Sequence, residues 1–260
     1  MVTNKLLKLN ITACVLHFTI LISIVVWTTL KYKPNEKNYI STALYSIRND
    51  SDTNNTNQIK NSIMLQHSDW FMFILIYVFL LITALSHLFY CIMKKWYIGM
   101  IDDKNNYARW IEYSITATLM IMLIMFTSGI KDFDVFVSVS VCTFCLMLLG
   151  QVIEVMISDN RIKDAILLTG IAWSLFALIW YNISSTFIHI FQNNAEIPNF
   201  VTTVYAMMFV MYSSFGFVQI YQLIYPQTNY ENIEISYVIL SFISKALLVM
   251  LLTSGLIART

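Results

Sequence analysis

The chain has 260 residues, 58% of them hydrophobic and 12% charged, with a net charge of +1. A soluble domain carries about twice that charged share, and so balanced a charge offers nothing to attract nucleic acid. Six glycines and three prolines argue against a fold made of many tight turns, and the length suits seven apolar spans of roughly 20 residues each.

Apolar runs are predicted at Leu9–Leu30, Asp69–Met93, Asp102–Ser128, Asp134–Ile157, Lys163–Phe191, Pro198–Ile224 and Ile233–Ile257. Only helices and closed barrels satisfy their backbone in lipid. These runs are too long and too continuously apolar for barrel strands, which alternate over about ten residues. The expected fold class is therefore an all-α membrane protein, a single bundle of seven transmembrane helices.

The first run follows Lys5 and Lys8 as a signal peptide would, but it is long and no small-residue cleavage site follows, so it reads as a retained helix. The loop after it, about residues 31–68, is polar and Asn-rich. Within it Tyr39–Ile47 and Gln58–Leu65 are predicted to pair as a short β-hairpin. Asp102 is the predicted cap of the third span, and Pro198 suits the first turn of the sixth. Cys14, Cys91, Cys142 and Cys145 lie in or beside apolar runs. They read as packing residues and not as metal or redox ligands, although Cys142 and Cys145 form a CxxC.

Basic residues suggest the orientation. With the N-terminus inside, Lys5, Lys8, Lys94, Lys95, Lys104, Arg109, Arg161 and Lys163 fall on the inner side. Outside the long loop, only Lys131 and Arg259 fall on the outer side. The loop's own Lys31, Lys33, Lys37, Arg48 and Lys60 reduce the contrast, while sequons at Asn49 and Asn54 fit an outer face. The expectation is a cytoplasmic N-terminus and an extracellular C-terminus.

Ionisable groups inside a membrane are costly and therefore candidates for function. Lys245 lies about twelve residues into the seventh run, near mid-depth at ~1.5 Å per residue. Glu112, at matching depth in the third run, is its natural partner. The pair reads either as structural glue or as an amine that condenses with retinal and a carboxylate that serves as counterion. Arg109, at i−3 from Glu112, is placed to pair with it, or is an ordinary basic anchor. His17 and His87 lie in the inner half near the level of Glu112, with Glu154 in the same half. They read as a proton-accepting cluster, or singly as interhelical hydrogen-bonders. His189 is placed near the outer end. Asp132, Asp134, Asp159 and Asp164 are placed at solvated span ends. Glu196, Glu231 and Glu234 are candidate proton exits, or simply interfacial charges.

A retinal-sized pocket needs bulky walls. Trp173 and Trp180, seven apart, share one face, and Tyr212, Phe215 and Gln219 form a stripe on the sixth run. Gly150, one turn before Glu154, leaves room for a ring. Met120 and Leu146 complete the candidate lining. Ser241, Tyr113 and Thr116 are candidate neighbours of the lysine, together with Arg109.

These residues resemble the heliorhodopsins, a family of retinal proteins distinct from the microbial pumps. The most specific pieces are Arg109-Trp-Ile-Glu-Tyr-Ser and Ser241-Phe-Ile-Ser-Lys245. In the pumps an Asp commonly stands where Ser241 does, so Glu112 remains as the sole close counterion. His17, His87, Gly150 and Glu154 also occupy positions of the family pattern. The resemblance implies an inverted rhodopsin-like bundle, all-trans-retinal on Lys245 and a homodimer to which the outer strands contribute. The Asn- and Ile-rich composition is that of an AT-rich genome, such as a virus's.

Three functions follow as expectations. The first is a light sensor, not an enzyme, whose released proton stays in the inner His/Glu cluster and whose signalling partner is unknown. The second is a light-gated proton channel or transporter. The third is a seven-helix transporter without retinal. Pumping is disfavoured, because no carboxylate donor–acceptor pair straddles Lys245.

Overall fold

The computed structural model describes residues 4–31, 38–41, 64–67, 69–130, 132–192 and 199–257. Eight helices are present among them: α1 (Asn4–Lys31), α2 (Asp69–Ile92), α3 (Lys94–Asp102), α4 (Tyr107–Thr127), α5 (Phe133–Ser158), α6 (Ile162–Gln192), α7 (Asn199–Ile224) and α8 (Tyr230–Ile257). Seven are long and apolar enough to cross a membrane; α3 is not one of them. Their outer faces carry exposed Ile11, Ile22, Leu85, Ile166, Leu167 and Met250. Such a surface suits lipid as solvent, and the protein is an integral multi-pass membrane protein.

The helices close into a ring in the order α1, α2, α4, α5, α6, α7, α8, with α8 returning to α1. Helix α4 also touches α7 across the bundle, and 56% of its most apolar window is buried against 22% for α6. It is the central helix, and for that reason it carries the key polar residues. Phe73, Ile76, Leu80, Ile121, Ile124, Leu248 and Leu252 pack together where α2, α4 and α8 meet.

Short-range chemistry sets the helix ends. The third span begins at Tyr107 and not at Asp102, because the Asn106 side chain accepts from the Arg109 N–H and caps α4. Asp102 instead ends α3, a short helix that packs on α2 and α8. Asp132 caps α5 through the N–H groups of Asp134 and Val135. Helices α3, α4 and α5 each end in a left-handed residue, Lys104, Gly129 and Asn160, with the paired backbone bonds of a Schellman turn.

Strands β1 (Asn38–Ser41) and β2 (Met64–His67) pair antiparallel, with Ile40 opposite Leu65. They are shorter than the predicted segments and shifted from them. The residues between them, including both sequons and Lys60, lie outside the described residues, as do Lys131, Glu196, Pro198 and Arg259.

Candidate functional site at the α4–α8 crossing

Three residues on one face of α8 build half of the site. Glu234, Ser241 and Lys245 are spaced by seven and four, so all face the bundle interior. Lys245 is 2% exposed. Its Nζ donates to Glu112 Oε1 on α4 at 2.9 Å and to Ser241 Oγ at 2.7 Å. The same carboxylate oxygen accepts from Thr83 on α2 at 2.6 Å and from Thr116 at 3.0 Å. Three donors thus converge on one oxygen of this buried carboxylate. The Tyr113 ring lies 5.1 Å from Nζ, and its hydroxyl donates to the Tyr237 carbonyl.

Two adjoining cavities open from this point. One is lined by Lys245, Ser241, Ser244, Thr116, Ala117 and Met120. The other continues past Leu146, Gly150, Trp173, Phe176 and Gln219. Tyr113, Met147, Tyr212 and Phe215 line both, so the two form one slot with the lysine at its end. Met120, Leu146, Gly150, Trp173, Tyr212, Phe215 and Gln219 each line one or both of these cavities. Trp180 instead packs into the core against Tyr205, Phe209 and Tyr212. Two glycines keep the slot's walls thin. A Cβ at Gly150 would overlap the Trp110 indole, and one at Gly216 would come within 2.8 Å of Trp173.

The His17 and His87 rings lie nearly parallel, with centroids 5.8 Å apart. Lys245 lies close enough to act electrostatically on both rings, and Glu112 on His87. Neither nitrogen of His17 has a hydrogen-bond partner among the described residues. His87 Nδ1 is 2.7 Å from Asn10 Oδ1.

Three expectations need correction. Arg109 does not pair with Glu112. Its guanidinium pairs with Glu154 on α5 and Glu234 on α8, and lies 4.1 Å from the Tyr237 ring centre. The turn between Arg109 and Glu112 points them at different neighbours, and the two glutamates offer Arg109 a closer anion. Glu154 accordingly stands apart from the histidines. It also accepts from the Tyr230 hydroxyl at 2.5 Å, Trp110 Nε1 at 3.1 Å and the Asn106 N–H at 2.9 Å. Glu234, expected at the interface, is 1% exposed and accepts from Asn106 Nδ2 at 2.7 Å and from Tyr97 at 3.2 Å.

The structure thus brings Lys245, Glu112, Ser241, Thr116 and Tyr113 together and sets Arg109 and Glu154 in a second buried cluster. Sequence reasoning missed Thr83, Asn10, Tyr97, Asn106 and Tyr230. Two of these carried a signal: Asn10 is seven residues before His17 and Thr83 four before His87, each on the histidine's helix face. The side chain of His189 lies outside the description, and Glu231 is buried at the start of α8.

Among comparisons with known proteins, the family model described as Heliorhodopsin matches residues 6–257. No curated protein matches the chain.

Proposed function

Because the chain belongs to the heliorhodopsin family, a family of retinal-binding membrane photoreceptors, we propose that Lys245 carries all-trans-retinal as a protonated Schiff base and that Glu112 is its counterion. The observation that carries this reading is the buried Lys245–Glu112 pair at the end of an aromatic slot. The slot suits a long, flat, apolar ligand: Gly150 and Gly216 hold it open where a side chain would close it. Retinal, when bound, supplies absorption of visible light and a light-driven change of shape.

The remaining work falls to the protein's own side chains. Glu112 holds a fixed negative charge beside the Lys245 nitrogen, which keeps that nitrogen protonated in the dark. Thr83 and Thr116 hold the carboxylate in place. Ser241, lacking a carboxylate, leaves Glu112 as the only close anion among the described residues. His17 and His87 take up the proton that the nitrogen releases.

We read the output as signalling, not transport. The polar groups near Lys245 continue toward the α3 end of the bundle. Toward the opposite end stand Ile121, Ile124, Leu248 and Leu252, all fully buried. Such a plug opposes a proton crossing the whole membrane. Lys5, Lys8, Lys94, Lys95, Lys104 and Lys163 stand exposed at the α3 end, which supports a cytoplasmic N-terminus and an extracellular C-terminus. The working unit is a homodimer with a downstream protein partner.

The test is reconstitution with all-trans-retinal. The wild type is expected to form a visible band and Lys245→Ala none. A band of unchanged position and height in Lys245→Ala ends this reading.

A further inference from the structure

We propose that Asn10 is a positioning residue that fixes His87 as its Nδ1–H tautomer, leaving Nε2 as the atom that accepts the Lys245 proton. The proposal rests on the reading of His87 as a proton acceptor given above, and it adds which atom accepts and what sets it.

The argument follows hydrogen-bond direction. Asn10, fully buried on α1, places Nδ2 3.0 Å from the Leu6 carbonyl. A carbonyl only accepts, so the amide nitrogen must face it and the orientation of the amide is decided. Its second N–H points at the Tyr97 hydroxyl at 3.2 Å. Oδ1 is then the atom facing His87 Nδ1, at 2.7 Å. That oxygen has no proton to give, so His87 must donate, and Nδ1 must carry the hydrogen. In a neutral imidazole the proton on Nδ1 leaves Nε2 as the base.

The chain continues in the same sense. Tyr97 receives the Asn10 N–H and donates to Glu234 Oε1. Burial first, and the charge of Glu234 next, push the Tyr97 phenol well above its usual range, so it stays protonated and keeps donating. All three donors, His87 Nδ1–H, Asn10 Nδ2–H and Tyr97 Oη–H, point toward one carboxylate. Such a chain is mutually polarised. It draws the Nδ1–H toward Asn10 and so raises the basicity of Nε2, as a carboxylate behind a histidine does in metal and hydrolase sites. The carboxylate that does this is Glu234, two residues removed, and Arg109 pairs with it. When the Lys245 nitrogen loses its proton, one N–H bond breaks there and one forms at His87 Nε2. The resulting imidazolium then donates from Nδ1 to the same amide oxygen, so no partner has to move.

Helix α3 acquires a purpose in this scheme. It lies outside the seven spans, yet its Tyr97 is buried beneath the bundle against Tyr90, with ring centroids 4.6 Å apart. It delivers the hydroxyl that joins α1 to α8.

The test is nitrogen-15 and carbon-13 solid-state NMR on the full chain in lipid bilayers, labelled at histidine, with retinal and again without it. The chain has four histidines, and His87→Phe assigns the His87 signals. The wild type is expected to show His87 as Nδ1–H, Asn10→Leu to convert it to Nε2–H or a mixture, and Asn10→Asp to restore Nδ1–H. In the retinal-loaded protein, Asn10→Leu and Tyr97→Phe are expected to keep the visible band and to slow proton loss from the Lys245 nitrogen after a flash by roughly tenfold or more, as loss of a well-placed base would. An Nε2–H form in the wild type, or an unshifted tautomer in Asn10→Leu, overturns the proposal; so does an unchanged flash rate in both variants. If Asn10→Leu does not fold, the wild-type tautomer and the Tyr97→Phe rate decide. Failure to form any visible band would instead count against the retinal reading, and the retinal-free spectra would still decide the tautomer.

Discussion

Arg109 and Glu112 stand one turn apart on α4 and serve separate charge clusters: Glu112 accepts from Lys245 at 2.9 Å, while Arg109 pairs with Glu154 and Glu234. The first cluster sums to zero charge and abuts the slot. The second holds two carboxylates and one guanidinium, and closes the α3 end of the bundle. The division gives each charge its own test.

Removing the counterion should change the colour. Glu112→Gln keeps the shape and deletes the charge that stabilises a protonated nitrogen on Lys245. In the retinal-loaded variant the band should move strongly to the red, or the nitrogen should deprotonate at neutral pH and the band leave the visible. Absorption spectra check this, and an unmoved band would falsify the assignment of Glu112.

The Arg109 cluster should matter for stability more than for colour. Arg109→Gln strands Glu154 and Glu234 without a cation in a buried site, a loss of about 3–5 kcal/mol. Thermal melts in detergent should show a large drop in Tm. Adding Glu154→Gln should recover part of it. A melting point equal to the wild type's would mean that the pairing contributes nothing.

Filling the slot should block the ligand while leaving the ion pair. Gly216→Leu places a branched side chain against Trp173, where a single Cβ already comes to 2.8 Å. Retinal binding, titrated by growth of the visible band, should weaken by about tenfold or more, as size exclusion in an apolar pocket usually does. Equal affinity would show that the ligand does not pass this point.

Light should produce no sustained proton current. Patch-clamp recording under illumination is expected to show at most a transient from charge moving inside the protein. A steady photocurrent that reverses with the proton gradient would sink the signalling reading in favour of a channel. In that case the plug of Ile121, Ile124, Leu248 and Leu252 must open.

Much of the fold was legible because lipid imposes a simple rule. A run of about 20 apolar residues has few fates other than a helix, and the seven runs became α1, α2 and α4 to α8 with modest shifts at their ends. The exception was residues 94–106. Asp102 looked like the cap, yet Asn106, four residues on, caps α4, and only packing decided it. The buried Asn106 side chain meets both Arg109 and Glu234, whereas Asp102 is left exposed at the end of α3.

The sequence by itself determined the membrane solvent, the count of seven spans and the depth match of Lys245 with Glu112. Each depends on spacing along one helix, and spacing is written in the chain. Tertiary structure alone decided the partners across helices. Arg109 could face Glu112 on its own helix or anions from α5 and α8, and only the ring order of the helices brings Glu154 and Glu234 to it. The same closure sets Asn10 of α1 between His87 of α2 and Tyr97 of α3. A buried polar group must find its partner in three dimensions, and no local pattern names that partner in advance.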